Sequence, residues 1–163
     1  WSGEYMDSDL FRRAWGNFAT GASLITTIEE DGSIHGMTAN GIASISLDPM
    51  LSMVCVGHNA NTHPIIKRTG RYGINILSED QEIIGDYYAR SAEKRDGSIN
   101  PEFFFTSSGI PFLEGALSSL DCKVVSAYEE GDHTIFIGEV EEMKVRNGRP
   151  LLFYEGKWSK LSS

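Results

Sequence analysis

Hydrophobic positions recur at two different periods along the chain. Over residues 9–18, Leu10, Phe11, Ala14, Trp15 and Phe18 fall at helical spacing, and Asp7, Ser8 or Asp9 can cap the first turn. Beyond that the pattern changes to short β-branched or apolar runs punctuated by Gly, Asn and Asp. Residues 22–28 (ASLITTI) lie between Gly21 and the turn Glu30-Asp31-Gly32, and predict a strand. Residues 33–46 form a second stretch, interrupted at Asn40-Gly41. Residues 51–56 (LSMVCV) are a nearly continuous apolar run, the pattern of a buried strand. Thr62-His63-Pro64 opens a short helix through Lys67, because Thr caps and Pro is tolerated in the first turn. Residues 71–77 predict a strand, and Ser78 with Gln81 forms a capping box for a helix to about Ala89. Residues 91–109 are polar and loop-rich around the cluster Phe103-Phe104-Phe105. Residues 117–128 alternate as a long strand, 129–132 turn, and 133–143 return. Asn147-Gly148 then turns the chain into Leu151-Leu152-Phe153-Tyr154.

The reading yields about six mostly consecutive strands and three short helices. Helices that do not alternate with strands argue against a doubly wound parallel sheet. Short strands joined by Gly-rich turns predict a mainly β protein, a small antiparallel barrel with helices packed outside. The 163 residues suit one domain, taken as 9–163, with residues 1–8 an N-terminal extension. The chain begins at Trp1, so residues 1–5 before Met6 read as the remnant of a tag or leader.

Composition narrows the partners. Hydrophobic residues at 40% can build a core, which excludes wholesale disorder. Lys and Arg total 14 against 23 Asp and Glu, for a net charge of −9. That balance disfavours nucleic acid and anionic membrane surfaces. No apolar run approaches the ~18 residues of a membrane helix, and the N-terminus lacks the pattern of a signal peptide. Cys55 and Cys122 stand far apart in separate apolar runs, which reads as two buried, unreactive thiols in a reduced cytoplasm.

Familiar catalytic signatures fail. Residues 16–23 have the glycine spacing of a phosphate loop, but Ala22 sits where that loop needs Lys. There is no GxGxxG, GxSxG, HExxH or EF-hand loop. His35, His58, His63 and His133 never occur at metal-ligand spacing, so no metal site is expected. The pairs Glu29-Glu30 and Glu141-Glu142 read as solvated faces.

Three stretches carry chemistry. Residues 36–49 place small and hydroxyl side chains where a core strand is expected. Such a strand admits a flat ligand against its backbone, although Asn40-Gly41 is also a common hairpin turn and Ser44 and Ser46 can face water. Residues 56–62 form a polar loop entering a helix, a natural anion seat to which Asn61 and Thr62 add donors; alternatively Thr62 merely caps its own helix. Together the two could hold the ring and phosphate of one mononucleotide. Gly131-Asp132-His133-Thr134 is either a tight turn with a surface His or an imidazole aimed at a substrate or cofactor.

In order along residues 11–161, these motifs resemble the short-chain flavin reductases, the reductase components of two-component flavin monooxygenases. The resemblance runs through residues 18–27 (FATGASLITT), 36–40 (GMTAN), 44–49 (SISLDP), 54–56 (VCV), 75–78 (NILS), 131–134 (GDHT), 138–140 (GEV) and 150–154 (PLLFY). It implies a six-stranded antiparallel FMN-binding split β-barrel of Greek-key order, with a few short peripheral helices. It also implies a homodimer with flavin near the subunit interface. The activity would be hydride transfer from NADH or NADPH to FMN or FAD, with reduced flavin passed to a partner monooxygenase. Met37, Thr38, Ala39 and Asn40, with Ser44 and Ser46, would face the flavin ring and ribityl chain. Val54, Cys55, Val56, Asn59, Ala60, Asn61 and Thr62 would take ribityl and phosphate, with Arg90 and Ser91 at the phosphate end. His133 would lie by the nicotinamide. Gly41-Ile42 stands where relatives often have Ser-Phe, and Met50 where they have a second Pro; the lost bulk leaves FMN or FAD, and tight or exchangeable binding, open. A permanently FMN-bound electron carrier and a reductase of a non-flavin acceptor are the alternatives on the same fold.

Overall fold

The computed structural model describes residues 5–162. The proposed leader at residues 1–5 therefore lies almost wholly outside the described residues. The chain folds as α1 (Ser8–Gly16), β1 (Thr20–Gly21), β2 (Ser23–Ile28), β3 (Ile34–Ala39), β4 (Ile42–Leu47), β5 (Met50–Gly57), α2 (Thr62–Thr69) and β6 (Arg71–Ile76). A 3-10 turn at Glu79–Gln81 leads into α3 (Glu82–Ala89), and another follows at Ala92–Lys94. Then come β7 (Phe103–Phe105), β8 (Pro111–Leu113), β9 (Ser118–Glu130), β10 (His133–Val145), β11 (Leu152–Tyr154) and β12 (Lys157–Ser159).

The main sheet has seven strands in the order β3-β2-β6-β9-β10-β5-β4, every neighbouring pair antiparallel. The stretch over 33–46, read as interrupted at Asn40-Gly41, divides there into β3 and β4, which lie at opposite edges. This division raises the count from about six to seven. It also fixes the shape. Six inter-strand gaps of ~4.8 Å would put the edges of a flat sheet ~29 Å apart. Ala39 and Ile42 are three residues apart and span at most ~11 Å. The sheet must therefore curl until its edges approach, yet β3 and β4 do not pair, so it stays open along that seam.

Inside the curl lie Ile25, Val54, Val56, Ile66, Tyr72, Ile74, Cys122, Phe136 and Val140. Each fully buried side chain of this kind contributes about 1.5–3 kcal/mol. A second cluster of Ala22, Leu24, Leu77, Leu113, Ala116 and Leu151 lies against α3 and the β11–β12 hairpin, contacting Ile84, Tyr88 and Trp158. β5 alternates strictly: Ser52, Val54 and Val56 are buried, while Met53 and Cys55 are only partly covered. Its apolar run therefore does not mark burial on both faces. Cys122 is buried and Cys55 half-buried, both as free thiols. Burial pushes the Cys122 thiol up to about 12 and raises that of Cys55.

Three local readings change. The turn expected over 129–132 shrinks to Gly131-Asp132, with β9 extending through Glu130 and β10 starting at His133. Gly131 takes the left-handed φ of 61° that so tight a turn requires. The aromatic cluster expected in a loop is β7, paired with β8. The C-terminal run continues into a hairpin, β11 pairing with both β1 and β12. Helix α1 forms close to the expected 9–18 but ends at Gly16; it is capped by Asp7, and none of its residues is buried.

Candidate functional site

A cavity of about 470 Å³ opens beside β3. One wall is the strand itself, at His35, Met37 and Thr38. Opposite stand the loop after β5 and the start of α2, at Asn59, Ala60, Asn61 and Thr62. The third side is the end of α3 and the segment beyond it: Tyr88, Ala89, Arg90, Ser91, Ala92, Glu93 and Arg95. Local sequence explains the closeness of these elements. A Cβ on Gly36 would sit 2.7 Å from a ring atom of Tyr88, so glycine lets α3 lie directly on the strand. Thr38 Oγ1 donates to the Gly85 carbonyl at 2.7 Å, and Arg95 donates to the carbonyls of Gly36 (3.0 Å), Tyr88 (3.2 Å) and Arg90 (3.1 Å). The Arg95 guanidinium also lies 4.9 Å over the Tyr88 ring.

The electrostatics of this cavity favour an anion. In the first turn of α2 the His63 N–H is given to the Ala60 carbonyl at 3.0 Å and Pro64 has none, which leaves the N–H groups of Asn61 and Thr62 at the positive end of the helix dipole. Arg90 and Arg95 face the same space, although Arg90 is also paired with Asp86. β3 is an edge strand, so one side of its main chain is free of sheet pairing. Thr62 does not cap its helix. Its buried hydroxyl lies 2.8 Å from His35 Nε2, and His35 Nδ1 lies 2.8 Å from Glu29 Oε1. Burial lowers the pKa of His35 and outweighs the opposing pull of Glu29.

The sequence candidates divide. Met37, Thr38, Asn59, Ala60, Asn61, Thr62, Arg90 and Ser91 share this cavity. Ala39 and Asn40 line an adjoining hollow of about 150 Å³, with Ala22, Phe153 and Trp158, that shares Thr38 and Ala89 with the first. Asn40 Nδ2 donates to Thr20 Oγ1 at 3.3 Å. Ser44 and Ser46 lie on the opposite edge strand, the first exposed and the second half-buried. The side chains of Val54 and Val56 are in the core, so only their main chain could meet a ligand. Cys55 donates its N–H to the Gly41 carbonyl at 2.8 Å, at the seam. His133 is exposed, pairs in register with Gly57, and has Nδ1 2.7 Å from Asp132 Oδ1. That contact holds Asp132 below the usual carboxylate range.

Sequence reasoning missed His35, Tyr88 and Arg95. His35 stood one residue before a motif that was singled out, and its alternation with Met37 along β3 was the available signal. Tyr88 and Arg95 reach the site only through the docking of α3, which no local pattern encodes. Beside the site, His58 and His63 bring Nε2 to 3.1 and 2.8 Å from Thr134 Oγ1, their rings 4.9 Å apart. Burial first, then the neighbouring His58, lower the His63 pKa.

The chain matches known proteins along most of its length. Residues 15–162 match the flavin reductase like domain. An NADH-dependent flavin reductase of a Rhodococcus species is 42% identical over 152 residues, covering 92% of this chain and 84% of its own. A solved flavin reductase in its native state superposes with a TM-score of 0.90 at 40% identity, over 97% of this chain and all of that one. The styrene monooxygenase flavin reductase of Pseudomonas putida S12 gives 0.84 at 33% identity, over 94% and 98%.

Proposed function

We infer the function from one premise: this chain belongs to the flavin reductase family. It is an NADH-dependent flavin oxidoreductase that supplies reduced flavin to a partner monooxygenase. On that basis the curled, open sheet is read as the split barrel of flavin-binding proteins, built here from seven strands, and the working unit as a homodimer. Residues 9–163 are taken as the one functional domain.

The observation that carries the site assignment is the single cavity shared by the β3 edge, the start of α2 and the segment after α3. Its donor set suits a flavin phosphate: the main-chain N–H groups of Asn61 and Thr62, the side-chain amides of Asn59 and Asn61, and the charge of Arg90 and Arg95, which exceeds that of Glu93 although both guanidinium groups also hold protein oxygens. The free edge of β3, where alternate residues between Met37 and Ala39 turn their main chain outward, and Asn40 just beyond it offer donors and acceptors to the polar rim of a planar ring. A flavin held there would supply the hydride acceptor for the nicotinamide, and its reduced form would serve the oxygenase after release. The chain's task is alignment: hydride transfer needs close stacking, and no side chain has to move a proton at the reacting atoms. In this reading His133, whose Nδ1 lies 2.7 Å from Asp132 Oδ1 and which pairs with Gly57 at the end of β5, orients NADH.

The direct test mixes protein and NADH with excess FMN, then FAD, and follows absorbance at 340 nm in air, repeating with NADPH. Flavin-dependent NADH oxidation is expected, with the two series choosing between flavins and between nicotinamides. A protein that holds flavin tightly and oxidises neither nicotinamide is an electron carrier, and that result overturns the reading.

A further inference from the structure

The buried pair of His35 and Thr62 beneath the cavity has a proton-bookkeeping consequence. An ionised carboxylate only accepts, so the contact of Glu29 with His35 Nδ1 places a proton on Nδ1. In the neutral ring Nε2 then carries only a lone pair. The Thr62 hydroxyl, 2.8 Å away, must donate its single hydrogen to it. A hydroxyl committed in this way has no hydrogen for an anion in the cavity that it lines. Protonation reverses the bond: Nε2–H donates to Thr62 Oγ1, and the hydroxyl hydrogen is released.

We propose that His35 is a positioning residue that acts through Thr62 to couple proton uptake to the holding of a flavin phosphate. This rests on the flavin reading of the cavity and adds its pH linkage. The charged groups around the ring come from three elements. Glu29, from the end of β2, favours the imidazolium; Arg95, from beyond α3, opposes it. Tyr88 on α3 packs against the strand at Gly36 and is held protonated by burial. α2 presents the uncharged Thr62, while its Arg68 turns to Glu30 and the Ile28 carbonyl.

The sign follows. Burial keeps the free ring's pKa below the ordinary histidine value, so the ring is neutral at pH 7 before binding. A phosphate on the far side of Thr62 favours the imidazolium and raises that pKa. Binding then takes up as much as one proton, and affinity falls as pH rises from the free-state pKa to the bound-state pKa. The second ionisation of the phosphate itself, near pH 6, acts in the opposite direction, strengthening binding as pH rises.

The test measures FMN and riboflavin affinity by flavin fluorescence between pH 6 and 8.5, for the wild-type protein, His35→Gln and Thr62→Val. Wild-type FMN affinity is expected to fall about tenfold across the range, the worth of one hydrogen bond to a charged group. Riboflavin affinity should stay flat. Both variants should lose the fall and keep only the opposite trend of the phosphate. Thr62→Val is nearly isosteric and leaves His35 in place, so it carries the test if His35→Gln does not fold. Equal pH slopes in wild type and variants overturn the proposal, as does a riboflavin profile that follows FMN. Equal affinity for FMN and riboflavin at every pH instead removes the phosphate from this cavity, and overturns the site assignment on which the proposal rests.

Discussion

His133 and Thr62 show how differently single residues contribute at the site. His133 is half-exposed, off the cavity wall, and tied to Asp132 within a two-residue turn. On the proposed reading it meets an approaching nicotinamide rather than bound flavin. His133→Ala is therefore expected to raise the NADH KM or lower kcat about tenfold, the worth of one hydrogen bond to a charged group. Flavin affinity should not change, because nothing in the phosphate seat touches the ring. Steady-state kinetics with a parallel flavin titration measure both quantities, and unchanged NADH kinetics would remove His133 from the reaction. Thr62 is the reverse case. The sequence suggested a helix cap or a phosphate donor, and the structure gives its hydroxyl to His35. That partnership joins β3 to α2 across 27 residues and has no local signature.

At the scale of elements, the closeness of the strands depends on glycines placed at bends. β9 and β10 pair with a register shift between Ile137 and Gly138, so an extra residue bends the ribbon there. A Cβ on Gly138 would stand 2.7 Å from the Cys122 Cβ and 2.8 Å from the Tyr72 hydroxyl. That hydroxyl is buried and shares its one hydrogen between the carbonyls of Ser52 (3.0 Å) and Phe136 (3.2 Å), bracing the inside of the curl. Gly138→Ala is expected to cost about 1–3 kcal/mol by overpacking. Urea unfolding should show a lower midpoint at constant slope, whereas an unchanged midpoint would mean that the ribbon can slide to make room. Elements of this kind were partly legible. Period and turn residues located β2, β5, β6, β9 and β10 to within a few residues, because each run is bounded by Gly, Asn or a charged pair. β1, β7, β8 and β12 are two or three residues long and carry no measurable period; β11, equally short, was marked only by the resemblance at 150–154. The distribution of β3 and β4 to opposite edges was not legible either, since it is set by partners far along the chain. The site shares this limit: the β3 motif and the α2 loop could be read from local chemistry, while Tyr88 and Arg95 arrive through packing.

At the scale of the whole molecule, helix α1 presents an exposed apolar stripe. Its apolar positions have helical spacing, yet no residue of the helix is buried in the single chain. Phe11, Trp15 and Phe18 are each at least 60% exposed. They stack edge to face, with ring centroids 6.4 and 6.2 Å apart, so the stripe is an ordered surface. Its far end is anchored, because Glu155 N–H donates to the Gly16 carbonyl at 3.0 Å from the β11–β12 hairpin. An ordered aromatic stripe of this size left in water is costly, and a second copy of the chain is the partner that the family reading supplies. The net charge of −9 opposes association of two copies, so the apolar contact has to outweigh that repulsion, and added salt should strengthen the dimer by screening it. Sedimentation is expected to give twice the 18.0 kDa chain mass. Trp15→Glu combined with Phe11→Glu should give a folded monomer with an unchanged far-ultraviolet spectrum, since neither side chain supports the core of its own subunit. A wild-type monomer, or a double variant that stays dimeric, would show that α1 is not the contact. If the double variant is monomeric and flavin reduction falls with it, each active site depends on the neighbouring subunit.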